Sequence, residues 1–91
     1  MADLIESRER MNQASGQFLK IDLQTALTFV TIARETNDGA RRSRNIRSAR
    51  KAYDTVIRLS QKLRPPDDDI QAIDEMLEEL KTKLADLGEV F

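Results

Sequence analysis

The chain has no cysteine and no histidine. Without cysteine there is no disulfide framework and no thiolate nucleophile. Without histidine, the usual general base near neutral pH and the commonest zinc ligand are both missing. Hydroxyls such as Thr25, Thr28 and Thr31 have no imidazole to activate them, and Tyr53 has no visible base partner. Neither GxxxxGK[ST] nor GxGxxG occurs, so no glycine-rich phosphate cradle is coded. These absences predict a protein that is not an enzyme, takes no cofactor and turns over no small-molecule substrate.

Tryptophan is absent too, and aromatics make up only 4% of the residues, so Leu, Ile, Val and Ala must fill any core. Three glycines and two prolines, against abundant Ala, Leu, Arg, Lys, Glu and Gln, favour helix over sheet. No apolar run is long enough to cross a membrane. The best candidate, Phe18 to Ala33, is short and carries Lys20, Asp22 and Gln24. Met1 to Glu9 is polar and acidic, unlike a secretory leader. The expected location is therefore cytoplasmic, and the 91 residues are expected to hold one folded domain over 17–91 behind an arm over 1–16.

What the chain does have is helical period and segregated charge. From Ala40 to Arg64 there are nine basic residues and one acid, Asp54. From Pro65 to Phe91 there are nine acids and two lysines. The net charge of −1 hides this division.

The basic segment has the clearest helical face. Ile46, Ala49, Tyr53, Val56 and Leu63 recur at steps of three, four, three and seven, as one side of an α-helix requires. Arg44, Arg47, Lys51, Arg58 and Lys62 fall together on the opposite side, within about 60° on a helical wheel. The segment predicts a helix over 40–64 with an apolar packing face and a solvent-facing cationic ridge. Either Asp38 or Ser43 can cap its start, and Pro65-Pro66 ends it.

Upstream, 17–36 also predicts a helix, with Ser15 or Asp22 as its start signal. Its apolar residues cover about 220° of the wheel, far more than a surface helix needs. It is expected to be the central helix, and Phe18, Phe29 and Ile32 are its candidate apolar interaction surface. Asn37-Asp38-Gly39 reads as a turn, with Gly39 left-handed just past the helix end. Asn12 to Gly16 reads as a break, which leaves Met1 to Gly16 as a loosely ordered or short helical arm.

Downstream, Ile70, Ile73, Leu77, Leu80, Leu84 and Leu87 form a heptad stripe that predicts a helix over 67–87, stopped at Gly88. Asp67, Asp68 and Asp69 suit the positive end of its dipole. They lack the spacing and turn glycine of a cation-binding loop, so no metal site is expected. Glu75, Glu78, Glu79 and Asp86 form an acidic ridge pointing away from the leucine stripe.

The predicted fold is all-α: an antiparallel three-helix bundle of 17–36, 40–64 and 67–87. Its core should contain Leu23, Ala26, Val30, Ala33, Ile46, Ala49, Tyr53, Val56, Leu63, Ile73, Leu77, Leu80 and Leu84.

The sequence Ala49-x-x-x-Tyr53-x-x-Val56-Ile57, with Ala33 on the preceding helix, resembles the hairpins of tetratricopeptide repeats and of the three-helix microtubule-interacting-and-transport modules. About forty residues share the likeness. The chain departs from the repeat pattern where Val56 replaces a small alanine, where Pro65 comes late, and where the connection is longer by about a turn of helix. The resemblance implies a groove that binds a peptide or a helix, and it transfers no particular binding residue.

These features favour a protein–protein interaction module, binding a protein partner or a second copy of itself. Its candidate surfaces are the basic ridge (Arg44, Arg47, Lys51, Arg58, Lys62) and the apolar face of the first helix. A nucleic-acid-binding module using the ridge is the alternative. It fits less well, because aromatic side chains are not interleaved with the cations and the pI is about 5.4.

Overall fold

The computed structural model describes residues 2–91, with side chains from Ala14 onward. Three helices follow one another: α1 (Ala2–Glu35), α2 (Gly39–Leu63) and α3 (Asp67–Asp86). Two three-residue links join them, so neighbours run antiparallel. No strand occurs among the described residues. The three-helix bundle expected from periodicity is the observed architecture.

α1 is the central element. It packs extensively on both α2 and α3, which touch each other far less. Leu19, Leu23, Ala26, Val30 and Ala33 supply its fully buried face. Ala49, Tyr53 and Val56 come from α2, and Ile73, Leu80 and Leu84 from α3. Ile46 and Leu77, expected in the core, are half-buried at its margin, as is Leu63. Leu19 was not expected in the core but is fully buried, because it stands one turn before Leu23 on the same face.

α1 does not begin where the sequence suggested. It runs unbroken through 12–16, and neither Ser15 nor Asp22 caps its start. Gly16 is an interior helical residue packed against the first turn of α3. A Cβ placed on it would lie 2.7 Å from Asp69 Cγ. The glycine marks a close helix–helix approach rather than a break. Next to it, Lys20 Nζ pairs with the half-buried Asp69 carboxylate at 2.7 Å. The narrow stripe expected at Leu4, Ile5, Arg8 and Met11 lies outside the described side chains.

The α1–α2 turn is built by Asp38, which caps α2. Its Oδ1 accepts from the backbone amides of Ala40 at 2.9 Å and Arg41 at 3.2 Å. Gly39 is therefore the first residue of α2, without the expected left-handed backbone. Arg42 serves the other side of the turn. Its guanidinium donates to the carbonyls of Ala33 and Thr36 at 3.1 and 2.6 Å, satisfying oxygens left free at the end of α1.

At the α2–α3 link, Arg64 takes the left-handed conformation, with φ 44° and ψ 65°. Pro65 disfavours right-handed α geometry for its predecessor, so the chain turns sharply at this residue. α3 then starts without a side-chain cap, its first turn carrying Asp67, Asp68 and Asp69. It ends in a Schellman turn: the Gly88 amide donates to the Ala85 carbonyl and the Glu89 amide to that of Leu84, both at 3.0 Å. Gly88, at φ 101°, is the glycine whose freedom that turn uses.

Candidate functional site

The Schellman turn aims residues 88–91 back across the seam between α2 and α3. There the Phe91 ring meets Tyr53 edge-on, with centroids 5.0 Å apart and planes at 73°. The Arg50 guanidinium lies 4.1 Å from the Phe91 centroid. Lys81 Nζ approaches the same ring at 5.7 Å. Arg50 also donates to the Val90 carbonyl at 2.7 Å and pairs with Glu89 at 3.5 Å and Asp54 at 3.2 Å. The tail is thus held between α2 and α3, the pair of helices that packs least.

Beside this clamp runs an open groove of about 720 Å³. Ser43, Ile46, Arg47, Arg50, Lys51, Asp54, Thr55 and Arg58 line it from α2, and Leu87, Gly88 and Glu89 from the end of α3. It is a mixed surface: Ile46 and Leu87 give an apolar floor, and the cations stand around it.

The charges divide in a simple way. The groove's two acids, Asp54 and Glu89, are both held by Arg50. Arg47, Lys51 and Arg58 make no ion pair or hydrogen bond among the described residues, and all three are exposed. Arg44 and Lys62 extend the ridge beyond the groove at either end, also exposed and in no ion pair among the described residues. The acidic ridge of α3 does not reach them. Glu79 instead pairs with Lys83 on its own helix at 3.0 Å. An anionic group entering the groove therefore meets uncompensated positive charge.

The apolar candidates separate differently. Phe18 is 59% exposed, whereas Phe29 and Ile32 are half-buried and Phe29 packs against the core. Ile21, three residues from Phe18, is 58% exposed and joins it on one face. Sequence reasoning passed over Ile21 because the apolar positions of α1 wrap most of the helix. It also passed over Arg50, whose signal was its four-residue spacing to Asp54, and Phe91, an isolated aromatic beyond a helix-stop glycine.

No three acidic side chains among the described residues converge closely enough to hold a metal ion. No described helix is long and apolar enough to cross a membrane. No family model matches the chain, and no curated protein or solved structure is detectably similar to it. Of the residues that carry the tetratricopeptide likeness, Ala33, Ala49, Tyr53 and Val56 are core residues, and Ile57 is half-buried against the core. They account for a packed hairpin without calling on a ligand.

Proposed function

We propose that this protein is a non-enzymatic interaction module that docks an acidic segment of a partner protein along the basic face of α2. The observation that carries this reading is the uncompensated trio Arg47, Lys51 and Arg58 around a groove with an apolar floor. A carboxylate-rich peptide with an aliphatic side chain satisfies both parts of that surface. The lack of histidine and cysteine supports a binding role over a catalytic one. Polynucleotide is the less suitable occupant. The flanking C-terminal third of the chain is strongly acidic, and no aromatic side chain lines the groove.

The test is fluorescence anisotropy with a labelled helical peptide bearing glutamates at every third or fourth position. A single-stranded oligonucleotide serves as the competing probe. The peptide should bind, and the triple variant Arg47→Glu, Lys51→Glu, Arg58→Glu should abolish binding while leaving the helical circular dichroism unchanged. Tighter binding of the oligonucleotide, weakening steeply with salt, would replace this reading with the nucleic-acid one. No binding of either probe would remove the groove as a site.

A further inference from the structure

The basic face of α2 and the acidic face of α3 carry the same spacing. Arg47, Lys51 and Arg58 stand at steps of four and seven, and Glu75, Glu79 and Asp86 repeat those steps in the same order. Each set therefore falls within about 40° on its own helical wheel and climbs its helix by the same rise. All six residues are exposed.

Within one molecule the two sets do not meet. The three cations are in no ion pair among the described residues, and neither are Glu75 and Asp86. Glu79 pairs with Lys83, four residues on along its own helix, and its side chain keeps 51% exposure. An exposed pair of this kind exchanges partners at little cost.

We propose that the acidic segment docked on α2 is α3 of a second copy, lying parallel to α2 with Glu75 facing Arg47, Glu79 facing Lys51 and Asp86 facing Arg58. The inference rests on the reading of α2 as an acid-docking face and gives that face its occupant. Matched rise lets three ion pairs form at once over about 16 Å. The neighbouring charge adds to them: Arg44 and Lys62 extend the one ridge and Glu78 widens the other. Direction follows from the apolar floor. In a parallel helix pair, opposite flanks of the two wheels meet, as positions e and g do in a coiled coil. Ile46 lies on one flank of the α2 cations. Met76, half-buried against its own core, lies on the opposite flank of the α3 acids, two residues from the level of Ile46 in this register. Met76 is then the apolar side chain brought to the floor of Ile46 and Leu87. The size of the contact sets its strength. The 20 residues of α3 laid along α2 cover about 30 Å by 10 Å, or about 600 Å² over both copies. That is less than the roughly 1,000 Å² of a stable interface, so the association is weak and salt-sensitive.

Sedimentation equilibrium of the full chain tests the docking. At low salt the weight-average mass should rise above 10.4 kDa with concentration, and at high salt it should return to 10.4 kDa. Glu75→Gln/Glu79→Gln/Asp86→Asn should stay at the single-chain mass at low salt, with its helical circular dichroism unchanged. A short bismaleimide reads the direction, since the chain has no cysteine of its own. In this register Thr55 lies beside Thr82 of the second copy. A Thr55→Cys chain should therefore cross-link to an affinity-tagged Thr82→Cys chain and not to a tagged Gln71→Cys chain. A single-chain mass at every concentration in low salt would overturn the proposal. So would association that survives in the acid-neutralised variant, or cross-linking to Gln71→Cys in place of Thr82→Cys. The labelled acidic peptide separates this inference from the reading beneath it. If the acid-neutralised variant, whose groove is intact, binds the peptide while the unaltered chain never self-associates, only the self-docking falls. If that variant binds no peptide, the docking face itself falls.

Discussion

Gly16 of α1 packs directly on Asp69 of α3: a single added carbon on Gly16 would sit 2.9 Å from Asp69 Cβ. Helix propensity and packing therefore give opposite predictions at this residue. Replacing an interior helical glycine by alanine gains about 1 kcal/mol on propensity alone. Here the new methyl meets the root of a side chain held by Lys20, so it cannot be relieved by a rotamer change alone. Overpacking of this kind costs about 1–3 kcal/mol. Gly16→Ala should lower the thermal midpoint, and Gly16→Ala in an Asp69→Gly background should raise it relative to Asp69→Gly. A rise in the single variant would mean the two helices can part without cost.

The core offers a graded test. Leu80 is fully buried and Leu77, one turn earlier on α3, is at the margin. Leu80→Ala should cost about 2–5 kcal/mol in urea unfolding. Leu77→Ala should cost clearly less, on the order of 1–2 kcal/mol, because part of its surface stays in water. Equal losses would contradict the helical register described for α3.

This pair also shows what the sequence could and could not convey. The heptad stripe placed both leucines on the packing face, correctly. Periodicity gives the direction of a side chain but not how far a neighbouring helix reaches around it. α2 barely covers α3, so the flank holding Leu77 stays partly open. Gly16 was misread for a related reason. A glycine among small polar residues has the composition of a break, and only the position of Asp69, fifty-three residues later, reveals it as a contact. Within the groove, the ridge cations were legible because they share one helical face. Arg50 was not, because its role depends on a tail whose path is set by the Gly88 turn.

Asp38 holds the α1–α2 corner with one carboxylate oxygen on two backbone amides. Asp38→Ala should cost about 1 kcal/mol, within the range for helix caps. Asp38→Asn should recover most of it, since its amide oxygen accepts the same hydrogen bonds. Chemical denaturation of the three proteins side by side checks this. If Asn is no better than Ala, the contribution of Asp38 is its charge at the helix start rather than its cap geometry.

Gly88 controls where the tail goes. At φ 101° a side chain is strained, so Gly88→Ala should destabilise by about 1 kcal/mol and loosen the Schellman turn. Its second effect is local. Phe91 should leave Tyr53, the chain's one tyrosine and, with no tryptophan present, its natural spectroscopic reporter. The near-ultraviolet circular dichroism band of tyrosine should weaken in Gly88→Ala and in Phe91→Ala to a similar degree. An unchanged band in both would mean the edge-on ring contact does not order Tyr53.

The last prediction joins the clamp to the proposed docking face. Arg50 spends its guanidinium on Asp54, Glu89 and the Val90 carbonyl, all groups of the same chain. Its contribution to binding is therefore indirect: it holds the groove's only two acids in ion pairs. In Arg50→Ala both carboxylates face the groove uncompensated, among Arg47, Lys51 and Arg58. At a separation of about 8 Å, an effective dielectric between about 20 at a protein surface and about 80 in bulk water makes each repel an incoming carboxylate by on the order of 1 kcal/mol. The peptide's affinity should fall roughly tenfold or more, with most of the loss removed at high salt. Arg50→Ala combined with Asp54→Asn and Glu89→Gln should regain the affinity although Arg50 is still missing. If the triple variant stays as weak as the single one, Arg50 contacts the partner directly, and the division of charge in the groove has a different purpose.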